Sequence, residues 1–154
     1  MSFVIGFDAK LYYLTTGTRA TWPGSGAPAN LDEVPNVRDL TLNLSKTEAD
    51  VTTRGGAGWR QIIAALKDAS VEFEMVYDNA DADFTAFQDS FINNTVIPCA
   101  VLDGGSATAG TQGLWADFMV TGFEQQQPLD GAVMVRVTIK PTYSSVAPEW
   151  ITVA

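Results

Sequence analysis

"NVRDLTLNLSKTEADVTTRGGAGWR", residues 36–60, begins as a half-buried strand and then changes character. Leu40, Leu42 and Leu44 alternate with Thr41, Asn43 and Ser45, the period-2 pattern of a strand with one face on a core. After Ser45 the alternation stops. From Lys46 to Gly58 one large apolar residue, Val51, stands among charges, threonines and glycines. A segment with so little to bury gains little to offset an ordering cost of roughly 1–2 kcal/mol per residue. It is therefore a mobile surface loop, or it packs on another chain, for which Val51, Trp59 and the threonines around Asp50 suit strand addition.

The same alternation recurs along the chain. A first strand is read at 7–16, the second at 37–45, and others at 68–78, 95–103, 113–124 and 132–143. In 68–78, Val71, Phe73, Met75 and Tyr77 share one face and Glu72 and Glu74 the other. In 132–143, Val133, Val135, Val137 and Ile139 oppose Arg136, Thr138 and Lys140. Pro98 lacks an amide donor and places 95–103 at an edge or a bulge. Residues 18–35 hold three prolines and two glycines and read as a long loop.

Two segments depart from this period. In 81–94, Phe84, Phe87 and Phe91 form one helical stripe, with Asp81 or Asp83 to cap its start and Asn93 and Asn94 suited to its end. In "WRQIIAALKD", Trp59, Ile62, Ile63 and Leu66 also fit one helical face, as a turn or two of helix or an irregular packed segment. Six or more strands with one clear helix predict a mainly β fold. It is an antiparallel β-sandwich or barrel with one flanking α-helix, a long inter-strand arm, and a single domain over 1–154.

Composition excludes several chemistries. The 154 residues contain no His and one Cys. That removes Ser/His and Cys/His nucleophilic pairs and zinc sites of the usual kind. Cys99, in a strand-like run, reads as a small buried hydrophobe. Asp78, Asp81 and Asp83 lie close together but do not match a calcium loop, and a turn with a helix cap accounts for them. "RGGAG" and "GGSATAG" lack the Gly-Lys-Ser/Thr ending of a phosphate loop. No catalytic, cofactor or metal residues are assigned. Eighteen acidic against nine basic residues give a net charge of −9. This opposes phosphate-backbone binding and is compatible with lying near DNA without holding it. The N-terminus has no basic start of a signal peptide, and no stretch reaches the length of a membrane span, so synthesis in the cytoplasm is expected.

"FDAKLYYLTTGT", "NVRDLTLNLSKTEADVTTR", "GWRQIIAALKDASVEFEM" and "VRVTIKPTYSS" resemble the tail tube (major tail) proteins of long-tailed bacteriophages. The resemblance runs from about residue 7 to residue 143, with 18–35 fitting least and read as an insertion. It implies a sandwich with a flanking helix, assembled as hexameric rings stacked into the tube of a virion tail. It implies contacts with tip, terminator and tape-measure proteins, and genomic DNA passing through without specific binding. Carried onto this chain, the arm that reaches neighbouring subunits is 46–59, with Lys46, Thr47, Glu48, Asp50, Val51, Thr52, Thr53, Arg54 and Trp59 as contact residues. The channel wall is expected to carry Asp39, Glu72 and Glu74, which lie on the non-core faces of long strands. Two other readings share some of these features. One is a monomeric sandwich binding sugars or peptides through Trp22, Trp115 and Trp150; the other is the tube subunit of a contractile injection system.

Overall fold

The computed structural model describes residues 3–154. Its strands are β1 (Lys10–Leu14), β2 (Leu31–Glu33), β3 (Val37–Asp50), β4 (Ile62–Val76), β5 (Ile97–Leu102), β6 (Gln112–Gln126), β7 (Met134–Pro141) and β8 (Glu149–Thr152). One helix, α1 (Ala82–Asn93), connects β4 to β5. All pairings are antiparallel, in the order β2-β1-β5-β6-β7-β4-β3, with β8 added beside β6. The fold is mainly β, an unclosed sheet of eight strands bent into a sandwich with one helix on its flank.

β6 is shared between the two halves. Its first half pairs with β5 and, on the other side, with β8; from Phe118 onward it pairs with β7. A bulge between Val120 and Gly122 follows this changeover, where an extra residue sharpens the bend. Gly113, opposite Leu102, is required by the close approach of β5, since a Cβ there would meet the Val101 carbonyl oxygen at 1.9 Å.

The main core joins both halves. Leu11, Cys99, Val101, Leu114, Ala116 and Phe118 meet Val71, Phe73, Met75, Val135, Val137 and Ile139, and α1 adds Phe84 and Phe87. The first half is also covered on its outer face, where Tyr12, Leu14, Ala100, Leu102, Trp115 and Ile151 pack beneath Trp22 and Leu31. The outer face of β3, β4 and β7 has no such cover, and Thr41, Glu72 and Arg136 are exposed there.

α1 follows its sequence pattern. Asp81 is the N-cap and accepts from the Asp83 amide, and Asn94 ends the helix in a left-handed conformation. Phe84 and Phe87 are buried, and Phe91 stacks on Phe123 at 5.9 Å. Phe87 meets Phe73 edge-on at 5.1 Å, fixing the helix over the middle of the sheet.

Several boundaries differ from the sequence reading. Residues 6–8 form a 3-10 turn, so the first strand starts at Lys10. The loop 18–35 contains β2, which covers one edge of the sheet. Pro98 lies in an interior strand, between β1 and β6. It is tolerated at the start of β5 because β1 stops pairing at Tyr13–Cys99. The Asp117 carbonyl opposite Pro98 accepts from Thr142, so the proline's missing donor faces away from β6. The largest difference is in "WRQIIAALKD", which is extended and belongs to β4 from Ile62.

Candidate assembly surfaces

β3 and β4 form one long hairpin with two unlike halves. Leu40–Phe73, Leu42–Val71 and Leu44–Ala69 are cross-strand pairs on the core side. The next pair on that side is Lys46–Lys67, already beyond the sandwich. A register shift follows between Lys46 and Glu48, where the Thr47 hydroxyl accepts from the Leu66 amide at 2.9 Å. The ladder then resumes through Glu48–Ala64, Ala49–Ile63 and Asp50–Ile62. At strand spacing the stretch from Lys46 to Val51 carries the hairpin roughly 20 Å past the core.

The expected arm at 46–59 is therefore the outgoing strand and tip of a hairpin whose return strand is Ile62 to Lys67. Its order comes from hydrogen bonds rather than burial. The Val51 amide donates to the Gln61 carbonyl at 3.0 Å, and the Gln61 amide to Thr52 Oγ1 at 2.9 Å. Asp50 accepts from the Thr52 amide at 2.8 Å, and bonding to the Thr52 side chain and amide lowers the Asp50 pKa. Arg60 lies 3.9 Å from the other Asp50 oxygen. The tip turns through left-handed Ala57 and Gly58. Lys46, Thr47, Glu48, Asp50, Val51, Thr52, Thr53, Arg54 and Trp59 are all exposed, as are Ile62, Ile63 and Leu66. Trp59 is 76% and Leu66 73% exposed. These apolar side chains are unburied on both faces of the hairpin, since Ile62 and Ile63 are consecutive in the ladder and point to opposite sides.

The second surface is the uncovered face of the sheet. Register places Thr41, Glu72 and Thr138 in one row and Glu74, Arg136 and Glu124 in the next. Arg38 and Asp39 both sit in the irregular stretch of β3 between Val37 and Leu40, beside this second row. Asp39, Glu72 and Glu74 thus lie together, with Glu124 as a fourth carboxylate the sequence reading did not assign and Arg136 between two of them.

A third feature escaped the sequence reading altogether. Arg19, from the 18–35 loop, is buried and lies 3.4 Å from Asp117 and 3.8 Å from Glu149. It donates to the carbonyls of Val146 and Ala147 and lies over the Trp115 ring at 5.7 Å. Asp117 also accepts from the Ser144 hydroxyl. One guanidinium thus ties the loop, β6 and the segment before β8 together. Trp115 is fully buried, its Nε1 donating to the Ala20 carbonyl at 2.9 Å, with Trp22 edge-on against it at 5.4 Å. Trp150 alone of the three is exposed, so no tryptophan platform forms.

The aspartates near α1 have local structural partners. Asp78 accepts from the Ala80 amide, Asp81 caps the helix and accepts from Asn36, and Asp83 accepts from the Tyr13 hydroxyl at 2.7 Å. Burial raises the Asp83 pKa against the effect of the Tyr13 bond, with the Asp81 and Asp32 charges adding to the rise. Among the described residues no cluster of His, Cys, Asp or Glu is arranged to hold a metal ion. Cys99 is buried and its thiol pKa is pushed up, mainly by burial. Among the described residues no helix is long and apolar enough to cross a membrane.

The family model described as phage tail tube protein matches residues 9–142. The chain belongs to the phage tail tube protein family. Among solved structures, the SPP1 tail tube superposes with a TM-score of 0.70 at 14% identity, covering 97% of this chain and 79% of that one. The tail of an empty gene transfer agent particle, refined in C6 symmetry, gives 0.68 at 19% identity, over 97% and 98%. A chain of the anti-feeding prophage baseplate gives 0.63 at 10% identity, over 99% and 98%. A search of characterised protein sequences finds no match. The shared fold spans nearly the whole chain.

Proposed function

We propose that this tail tube protein is a structural subunit that assembles with itself into hexameric rings. The rings stack into the tube of a virion tail, and DNA passes through it without specific binding. The projecting β3–β4 hairpin carries this reading: its apolar side chains are solvent-exposed in a single copy and are buried when it lies on neighbouring subunits. The C6 symmetry of the gene transfer agent tail that shares the fold supports the ring number. The acidic outer face with Asp39, Glu72 and Glu74 forms the channel wall, where carboxylates repel phosphates and keep the passing polymer mobile. Tip, terminator and tape-measure proteins meet the ends and interior of this tube, and the subunits are made in the host cytoplasm.

The test removes the projecting half without disturbing the core. Lys46 and Lys67 face each other directly, so residues 47–66 can be replaced by Asn-Gly, the residues favoured in a two-residue hairpin turn. The shortened chain is expected to fold with unchanged thermal stability and remain monomeric, while the parent forms rings or tubes by negative-stain electron microscopy and light scattering. Normal tubes from the shortened chain would overturn the reading.

A further inference from the structure

The core-side face of the hairpin ends over a groove. Its volume is about 520 Å³, and its lining includes Leu44, Lys46, Lys67, Leu114 and Trp150, together with Asp68, which forms no ion pair with either lysine. Lys46 and Lys67 are directly opposed in the ladder, and among the described residues neither forms an ion pair. Like charges directly opposite one another destabilise a strand pair. In a chain of net charge −9, two of only nine cations stand face to face at the rim of an apolar groove. A carboxylate arriving with apolar side chains would relieve the repulsion and cover the groove together.

Among the described residues, 3–8 carry the longest exposed apolar run beside a carboxylate. Residues 3–8 read Phe-Val-Ile-Gly-Phe-Asp. Phe3 is 85% and Phe7 91% exposed, and Val4 and Ile5 are open as well. The copy's own segment is held elsewhere. The Asp8 and Ala9 amides donate to the Ile5 and Gly6 carbonyls, and Val4 and Asp8 lie at a separate cleft with Lys10 and the 103–111 loop. Extended, a segment of this length spans at most about 20 Å. With Phe3, Ile5 and Phe7 turned onto the groove, Asp8 at the end of the segment is directed to its rim, where the two lysines stand.

We propose that residues 3–8 of a neighbouring copy seat in this groove. The apolar side chains lie on Leu44, Leu114 and Trp150, and Asp8 lies between Lys46 and Lys67. This rests on the self-assembly proposed above and adds to it a specific contact away from the tip. Inward-facing lysines on an edge strand also deter wrong strand pairing. That role would be kept by glutamates at the same positions and has no link to Asp8.

Two variants of the full chain test the docking, Asp8→Lys and the double variant Lys46→Glu, Lys67→Glu. Each alone is expected to fold as the parent does by circular dichroism. Each is expected to need at least about tenfold more protein to reach half-maximal light scattering. Mixed one to one, they are expected to recover assembly, because the cationic N-terminal segment of one kind then meets the acidic groove of the other. The triple variant, which carries both changes, is expected to recover it alone. Assembly of either variant at the parent's concentration, or no recovery in the mixture and the triple variant, would overturn the docking while leaving the tube reading intact. A parent that forms neither rings nor tubes would overturn both.

Discussion

The two ends of the β3–β4 hairpin share one backbone ladder and differ in what their side chains meet. At the base, Val71, Phe73 and Met75 are buried against β7 and α1, and Leu40 and Leu42 pack at the margin of the same core. Toward the tip, Leu44, Ile62, Ile63 and Leu66 are similar in chemistry and exposed. Hydrogen bonding alone therefore does not distinguish the halves; burial does. Apolar burial stabilises by roughly 25 cal/mol per Å². The base has realised that gain within one chain, whereas the tip has not.

The comparison breaks most visibly with one truncation at each end. Phe73→Ala removes a buried ring packed on Phe87 and is expected to cost about 3–5 kcal/mol of folding stability. Leu66→Ser, on the exposed return strand, is expected to change stability by no more than about 0.5 kcal/mol and to suppress assembly. Urea denaturation of the monomer and light scattering of concentrated protein read the two effects separately. A Leu66→Ser chain that assembles normally would show that the return strand contributes nothing between copies.

The base also has an outer face, and there charge replaces burial. The double variant Glu72→Lys, Glu74→Lys is expected to leave folding within about 0.5 kcal/mol and assembly intact. DNA passage through particles built from this variant is expected to slow, because a cationic wall attracts phosphates. Ejection kinetics measured on such particles at low and high salt check this, with high salt narrowing the difference. Unchanged ejection at low salt would remove this face from the channel wall.

The sequence marked these regions unequally, for a physical reason. Leu40, Leu42, Val71, Phe73 and Met75 were legible because a core on one side and water on the other impose period 2. The return strand of the arm has water on both sides, so nothing imposes alternation. Trp59, Ile62, Ile63 and Leu66 happen to fall at helical spacing and read as a helix or an irregular segment. The place of Ile62 and Ile63 in β4 is set by pairing with Asp50 and Ala49, which periodicity does not record. The candidate carboxylates Asp39, Glu72 and Glu74 were readable as an exposed face, while Glu124 joins them only through the β6–β7 register. Arg19 was hidden in a loop without pattern, and its partners Asp117 and Glu149 lie 98 and 130 residues away along the chain. A signal existed in Asp117, a carboxylate between Ala116 and Phe118 in an apolar strand, because a buried charge requires a partner.

The smallest expected effect separates the base from the tip by pH. α1 is fixed over the base by Phe87 and by the bond from Tyr13 to Asp83, and the tip has no counterpart. Burial raises the Asp83 pKa, so the folded chain holds that proton more readily than the unfolded one. Stability from this group is fully present below the unfolded-state pKa and is lost as pH rises through the folded-state value. At neutral pH the ionised side chain is therefore a cost, partly offset by the Tyr13 hydrogen bond. Asp83→Asn keeps an oxygen to accept from Tyr13 and removes the charge. It is expected to be more stable than the parent at pH 7. The advantage should shrink as pH falls toward the carboxylate range, where the parent's Asp83 is protonated. Thermal unfolding of both chains across that range checks the sign. A variant less stable than its parent by the same margin at every pH would mean that Asp83 acts through helix-end geometry rather than through its charge.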